Sequence, residues 1–245
     1  MRVWARVLTL VGLIVLCVPL HLMTRLVRRE SRWPRRFLAG AARLCGLRVE
    51  RAGRPLGGDV FFVANHVSWL DILALGGATG CAFVSRDDVG SWPVIGWLAA
   101  QNNTILVSRS ERGAVHGQID TLRTALEQHQ PVALFPEGTT GDGHVLLPFK
   151  AALFAVLLPP PRAIRVQPVF VDYGTETDAI AWTGDEPAGS NAMRVLGRRG
   201  RTRVTLRFLE PFDPGEHPDR KAIAAEVRAR IEAEMRSFRE PPRPV

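Results

Sequence analysis

Short apolar runs alternate with helical periodicity along the chain after residue 55, and this alternation restricts the fold more than any other feature of the sequence. In the segments 114–129 and 219–238, apolar side chains recur at intervals of three and four residues, which places them on one face of a helix. The strand-like runs are Val60–Ala64, Cys81–Ser85, Thr104–Ser108, Pro131–Phe135, Val166–Val171 and Arg203–Leu209. Strands separated by helices predict an α/β fold with a mostly parallel central sheet flanked by helices.

The segment 174–202 interrupts this alternation. It has no clear period and is rich in Gly, Asp and Arg, so we expect a long loop or an insertion that faces the substrate. In an α/β fold, functional residues collect in the loops beyond the strand ends. The polar motifs described below follow predicted strands.

The N-terminal region differs from the rest of the chain in charge and hydropathy. Residues 1–51 contain eleven Arg and two Glu, whereas the whole chain has a net charge of +8, so the remainder is close to neutral. The apolar run from Val7 to Met23 is long enough for a membrane-anchoring helix. We therefore predict a membrane anchor with a basic, amphipathic helical segment at 1–51 and a folded domain at 52–245.

The position of the charge also indicates the partner. Arginines around an apolar run suit an anionic membrane surface, and the body lacks a basic stripe with interleaved aromatics, so no nucleic-acid partner is expected. The Arg-rich sequence after the run predicts the inner (cytoplasmic) membrane with the body facing the cytoplasm, and it disfavours a cleaved signal peptide. The run could span the bilayer. It could also bend at Pro19 and lie in one leaflet with an amphipathic stretch at 37–47.

The cysteines limit the chemistry of the chain. Cys17, Cys45 and Cys81 are far apart and lack the spacing of zinc ligands. We expect buried, reduced thiols, no metal and no bound cofactor.

The first polar motif, Asn65-His66-Val67-Ser68-Trp69-Leu70-Asp71, follows the run Val60–Ala64. If His66 lies in the turn and Asp71 in the first turn of the next helix, the carboxylate can accept a hydrogen bond from one imidazole nitrogen. The other nitrogen could then take a proton from a hydroxyl. A helix cap would explain Ser68 and Asp71 but not the Asn-His pair at a strand end. His66 and Asp71 are therefore the predicted catalytic pair.

Two further motifs also follow strand-like runs. In Phe135-Pro136-Glu137-Gly138-Thr139, Gly138 allows close approach of a ligand to the backbone, and Glu137 could accept from a substrate hydroxyl or hold the His66 turn. Arg109 ends another run, and its guanidinium suits a phosphate. The competing interpretations are an ordinary strand-to-turn junction and a solvated surface arginine.

Together these motifs resemble the glycerophospholipid (1-acylglycerol-3-phosphate) acyltransferase family, in the same order and with similar spacing over 60–173. The Asn-His-x4-Asp block matches Asn65, His66 and Asp71, and the strand that ends in Arg matches Arg109. The Phe-Pro-Glu-Gly-Thr block matches Phe135–Thr139 in full, and the fourth block, a hydrophobic strand with a variant of Val-Pro, matches Val166–Val169.

This resemblance implies an O-acyltransferase domain at 52–245 that acts in phospholipid biosynthesis. It would transfer a fatty acyl group from acyl-CoA or acyl-carrier protein to the free hydroxyl of 1-acyl-sn-glycerol-3-phosphate, a membrane lipid, and form phosphatidic acid without an acyl-enzyme or a metal. By the same resemblance, His66 deprotonates the acceptor and Asp71 orients His66. The residues implied in substrate binding are Arg109, Glu137, Gly138, Thr139 and Lys150.

Two departures from the family pattern leave the acceptor head group open. Thr140 stands where many phosphatidate-forming members have Arg, and Arg86-Asp87-Asp88 stands where relatives often have Lys-x-Glu. Relatives that acylate lyso-ornithine lipid, which has no phosphate, are similar here, so this acceptor is the alternative within the class. Two other classes are weaker alternatives, a non-catalytic membrane scaffold and a membrane-anchored metallohydrolase built on His66, Asp71, Asp142 and His144.

Overall fold

In the part of the chain that the structure describes, a seven-stranded sheet forms the centre, with helices on both of its faces. The computed structural model describes residues 1–28, 31–107, 115–128, 130–184 and 186–239. The described strands are β1 Leu47–Ala52, β2 Val60–Ala64, β3 Ala82–Arg86, β4 Ile105–Val107, β5 Val132–Leu134, β6 Arg165–Asp172 and β7 Thr202–Phe208. The described α-helices are α1 Arg2–Val27, α2 Trp33–Leu44, α3 Leu70–Thr79, α4 Ile95–Gln101, α5 Val115–Glu127, α6 Thr177–Ile180, α7 Ala188–Gly197 and α8 Arg220–Arg239.

The strand order is β1-β7-β6-β2-β5-β3-β4. Every neighbouring pair is parallel except β6 with β7, so the predicted mostly parallel α/β sheet is confirmed. β2 lies between β6 and β5 and runs in their direction. The chain segments that leave β2, β5 and β6 therefore meet at one edge of the sheet.

The two hydrophobic layers follow from the alternation of side chains along the strands. In β2, Phe62 and Ala64 join the layer that also contains residues of α2 and α3, whereas Phe61 and Val63 join the layer under α5 and α8. α5 and α8 bury the faces that their periodicity predicts, including Leu122, Leu126, Ile223, Val227 and Ile231. Both faces of the sheet are therefore covered, and the strand ends that carry the polar motifs lie between two packed layers.

Two parts of the chain differ from the sequence prediction. The prediction of a long loop at 174–202 is wrong, because this segment contains a 3-10 turn at Gly174–Glu176 and the helices α6 and α7, which bury Ile180, Val195 and Leu196. β1 was not predicted, and it pairs with β7 as an edge strand. The predicted boundary between residues 51 and 52 thus falls inside a strand.

The N-terminal apolar segment forms a single helix of 26 residues, which is long and apolar enough to cross a membrane. One face of this helix contacts the body: Val3, Val7 and Leu10 pack on the core, and Arg6 donates to the carbonyl of Leu196 at 2.9 Å. Nearer its C-terminal end, His21 Nε2 lies 3.2 Å from Gln101 Oε1. Large apolar side chains are exposed on the other side, namely Trp4, Leu8, Val11, Val15 and Leu22.

Candidate active site

The site begins where β2 ends and the chain turns towards α3. The side chain of Asn65 donates to the carbonyl of Val171 at 3.1 Å and accepts from the Val171 N–H at 2.7 Å. It therefore continues the pairing of β2 with β6 after the β2 backbone has turned away. This contact explains an Asn directly before His66, which a helix cap did not.

His66 and Asp71 meet as their spacing predicts. His66 Nδ1 lies 2.8 Å from Asp71 Oδ2, and the backbone N–H groups of Val67 and Ser68 donate to the same oxygen at 2.7 and 2.9 Å. Asp71 is fully buried, whereas 16% of the His66 side chain is exposed. An Asp71 oxygen that accepts from two backbone N–H groups is a hydrogen-bond acceptor for His66 as well, so Nδ1 is the nitrogen that carries the ring proton. In this tautomer, the lone pair of the imidazole is on Nε2.

Tyr173 completes the environment of Asp71, and sequence reasoning missed it. Its hydroxyl donates to Asp71 Oδ1 at 2.6 Å, and the residue is 3% exposed. Burial, together with the Asp71 carboxylate, raises the pKa of Tyr173 well above its usual value, so this hydroxyl stays a donor. The available signal was its position directly after β6, the strand that contains the fourth motif and pairs with β2.

Phe135 and Glu137 of the second strand-end motif also contact His66. The Phe135 ring stacks on the imidazole with a centroid distance of 4.1 Å and an interplanar angle of 15°. Glu137 accepts from the backbone N–H of His66 and, through its other oxygen, from that of Leu147, both at 2.8 Å. Of the two roles left open for Glu137, the geometry therefore favours holding the His66 turn.

Burial shapes the electrostatics of Glu137. The residue is 4% exposed, and burial raises its pKa, while the two backbone donors, and to a smaller extent His66, oppose that rise. Gly138 closes the turn behind it, with a φ of 72° and an N–H that donates to the Phe135 carbonyl at 3.1 Å. A side chain at this positive φ would be strained, so glycine suits the position.

Gly141 and Trp182 support the same turn from the outside. The N–H of Gly141 donates to the His66 carbonyl at 2.8 Å, and the N–H of Trp182 donates to the Val67 carbonyl at 2.9 Å. The Thr140 hydroxyl donates to the carbonyl of Trp182. Both strand-end motifs and Trp182, which follows α6, thus hold the turn that carries His66.

The structure shows fewer contacts for the remaining predicted site residues. Arg109 lies outside the described residues. Thr139 and Lys150 are exposed, and the backbone N–H of Lys150 donates to the Pro136 carbonyl at 2.9 Å. Within the described ranges, no group of three or more His, Cys, Asp or Glu side chains could hold a metal ion, and His144 pairs with Asp178 rather than with His66.

The chain resembles known acyltransferases in sequence and in fold. The acyltransferase family matches residues 46–172. The chain is 34% identical to the lyso-ornithine lipid O-acyltransferase of Rhodobacter capsulatus, over 88% of this chain and 83% of that protein. It is 31% identical to the 1-acyl-sn-glycerol-3-phosphate acyltransferase of Neisseria gonorrhoeae, over 77% of this chain and 74% of that protein.

A solved structure shares the architecture. The crystal structure of the 1-acyl-sn-glycerophosphate (LPA) acyltransferase of Thermotoga maritima superposes with a TM-score of 0.68, covering 98% of this chain and 99% of that one. The sequence identity of that pair is 20%, so this likeness concerns the fold alone.

Proposed function

Because this chain belongs to the acyltransferase family, we propose that it transfers a fatty acyl group from a thioester donor to the free hydroxyl of lyso-ornithine lipid. Two relatives that carry this activity in their names are 34% identical to the chain over 88% and 93% of it. The Neisseria enzyme, named for 1-acyl-sn-glycerol-3-phosphate, is 31% identical over 77% of the chain. The phosphatidate-forming reaction, which the sequence resemblance placed first, becomes the second candidate.

Thr140 is the observation in the structure that supports the phosphate-free acceptor. Its hydroxyl is hydrogen-bonded to the carbonyl of Trp182, at the position where many phosphatidate-forming relatives have an arginine. This position therefore supplies no cation for a phosphate. An ornithine head group has an amino group and a carboxylate and needs no such cation.

The chemistry proposed for His66 follows from its tautomer. Nε2 takes the proton of the acceptor hydroxyl as the oxygen attacks the thioester carbonyl. The tetrahedral intermediate then collapses, so that a C–O bond has formed and the C–S bond breaks. The leaving thiolate takes the proton from the imidazolium. The Asp71 carboxylate stabilises that imidazolium at 2.8 Å, and no metal or cofactor takes part.

The other site residues have two proposed tasks. Phe135 and Glu137 position His66, since one stacks on its ring and the other binds its backbone. Gly138, Thr139, Lys150 and Arg109 are proposed to contact the substrates. The donor is acyl-CoA or acyl-carrier protein, both of which present a thioester.

The acceptor can be tested directly. Purified protein is supplied with labelled acyl-CoA or acyl-carrier protein and with lyso-ornithine lipid and 1-acyl-sn-glycerol-3-phosphate in parallel, with His66→Ala as the inactive control. We expect the higher kcat/KM with lyso-ornithine lipid. A preference for 1-acyl-sn-glycerol-3-phosphate would refute the proposed acceptor and leave the acyl-transfer chemistry intact.

The proposed location is the inner membrane, with α1 lying in one leaflet and the body facing the cytoplasm. α1 contacts the body from Arg6 to His21, which is about 22 Å of helix at about 1.5 Å per residue. A helix that crossed a hydrocarbon core of about 30 Å would carry the attached body into the lipid. An in-plane helix instead buries only its exposed apolar face in the leaflet.

The two arrangements of α1 differ in the accessibility of its ends. The variants Arg2→Cys and Arg28→Cys, each of which adds one cysteine, are treated with a membrane-impermeant maleimide in spheroplasts and in inverted vesicles. The wild type is the control, because its three cysteines are buried. We expect both ends to react in inverted vesicles and neither in spheroplasts. Labelling of one end in each preparation would mean that α1 crosses the membrane.

A further inference from the structure

Tyr173 is a buried polar residue that no motif of the sequence includes. It follows β6 and lies in the same layer as Phe62 and Leu70 of the core. Its hydroxyl donates to Asp71 Oδ1 at 2.6 Å, across 102 positions of sequence. It is also the one tyrosine of the chain.

The four hydrogen bonds on Asp71 are divided unequally between its two oxygens. Oδ2 accepts from the backbone N–H groups of Val67 and Ser68 and from His66 Nδ1. Among the described residues, Tyr173 is the donor recorded on Oδ1. The three donors on Oδ2 fix the position of that oxygen but leave the carboxylate free to turn about it. The plane of the carboxylate is fixed only when Oδ1 is held as well.

We propose that Tyr173 is a positioning residue for acyl transfer, which acts by holding the Asp71 carboxylate in the plane that faces His66. This role rests on the proposed function of the His66–Asp71 pair. Tyr173 does not touch the substrate, since it is buried, and it acts through the charge and orientation of Asp71.

Removal of the hydroxyl should change the rate and not the binding of the acceptor. Tyr173→Phe leaves Oδ1 without this donor in a buried site, so the plane of the carboxylate can turn about Oδ2 and no longer faces Nδ1 squarely. Small displacements of a catalytic group are costly, and we expect kcat to fall by about tenfold, with KM for the acceptor unchanged.

The pH profile separates a positioning role from a structural one. Loss of the donor leaves more negative charge on the carboxylate beside His66, which favours the protonated imidazole. The acid limb of kcat/KM should therefore move to higher pH in Tyr173→Phe. Glu137, the other carboxyl group on this turn, binds the His66 backbone and keeps both of its backbone donors in this variant.

Thr177→Val provides a matched control. The Thr177 hydroxyl is buried in the same segment and donates to the Gly174 carbonyl at 2.7 Å, but it does not contact Asp71. This variant should lose stability and keep both kcat and the pH profile. If it moved the profile as much as Tyr173→Phe did, the effect would belong to the segment and not to the Asp71 contact.

A double-mutant cycle tests whether Tyr173 acts through Asp71. In the Asp71→Asn background the carboxylate charge is already absent, so adding Tyr173→Phe should lower kcat by less than twofold. An independent tenfold loss in that background would overturn the proposal.

Fluorotyrosine keeps the test valid even if Tyr173→Phe fails to fold. Because the chain has one tyrosine, growth of a tyrosine auxotroph on 3-fluorotyrosine replaces Tyr173 alone. The fluorinated phenol is more acidic and is a stronger donor to the carboxylate. The acid limb should then move to lower pH, opposite to Tyr173→Phe, and an unmoved limb in fluorinated, folded protein would refute the role.

Failure of this inference can be told from failure of the proposed function. The assays use whichever acceptor supports turnover of the wild type, so a preference for 1-acyl-sn-glycerol-3-phosphate leaves the Tyr173 test unaffected. A wild type that transfers no acyl group to either acceptor would refute the proposed function itself. The ¹⁹F resonance of the single fluorotyrosine should still differ between wild type and Asp71→Asn, and an identical resonance would refute the contact.

Discussion

Asp71→Asn removes the negative charge of the carboxylate and keeps the shape of the side chain. The asparagine oxygen can take the place of Oδ2 and accept from His66, Val67 and Ser68, and its amide nitrogen can donate to the oxygen of Tyr173. Every buried partner thus keeps one hydrogen bond, but the proton of the Tyr173 hydroxyl loses its acceptor. The free energy of unfolding should fall by about 1–3 kcal/mol.

The expected loss of rate comes from the imidazolium that forms during proton transfer. His66 Nδ1 lies 2.8 Å from Asp71 Oδ2 in the structure. Two unit charges about 4 Å apart attract by about 4 kcal/mol at an effective dielectric constant of about 20. Removal of that attraction from the transition state lowers kcat by about 10³-fold.

The assay measures kcat for acyl transfer alongside urea unfolding of the same preparation. Asp219→Asn is the matched control, because it makes the same chemical change at the start of α8, where the side chain accepts from the N–H groups of Lys221 and Ala222. We expect the control to keep its rate. A decrease of less than tenfold in folded Asp71→Asn would refute the role of the Asp71 charge.

Three further predictions concern Glu137, Tyr173 and α1. Glutamine at position 137 can accept from only one of the two backbone N–H groups, so Glu137→Gln should lower the free energy of unfolding by about 1–3 kcal/mol and reduce kcat without raising the acceptor KM. A raised KM at unchanged stability would instead make Glu137 a substrate contact. The raised pKa of Tyr173 means that the folded protein holds this proton when the unfolded chain has lost it, so stability should fall as the pH rises above about 10. Tyrosinate absorbance should then appear together with unfolding, and its appearance in folded protein would contradict the buried contact. Val11→Glu with Val15→Glu places charges on the exposed face of α1 and should reduce co-sedimentation with anionic vesicles while kcat in detergent micelles is retained.

The sequence was sufficient where one local period determined the structure. β2 is a uniform apolar run and β6 is mostly apolar between Val166 and Val171. α5 and α8 have apolar faces at helical spacing, so the type of all four elements could be predicted from the sequence. The parallel order then followed from the alternation of strands and helices. His66 and Asp71 could be paired because both lie in one turn.

The sequence was insufficient where tertiary contacts determined the structure. β1 carries Arg48, Glu50 and Arg51 because it is an edge strand, and these charges hide its alternation. α7 buries Asn191, Val195 and Leu196 against the body, but its neighbours are Gly, Arg and Ser, so no period was visible. Its contact with α1 through Arg6 depends on a helix far away in sequence.

Tyr173 shows why a site can be more extensive than its motifs. The motifs that could be identified are those whose residues lie close together in sequence, whereas the bond from Tyr173 to Asp71 joins residues 102 positions apart. The parallel arrangement of β2 with both β5 and β6 brings the ends of these strands to one edge. Phe135 and Glu137 therefore reach His66 from one side of β2, and Tyr173 reaches Asp71 from the other. If β2 were an edge strand, it would have only one neighbour and could receive only one of these supports. The position of β2 between β5 and β6 therefore allows the buried Asp71 carboxylate and the partly exposed His66 imidazole to be held together.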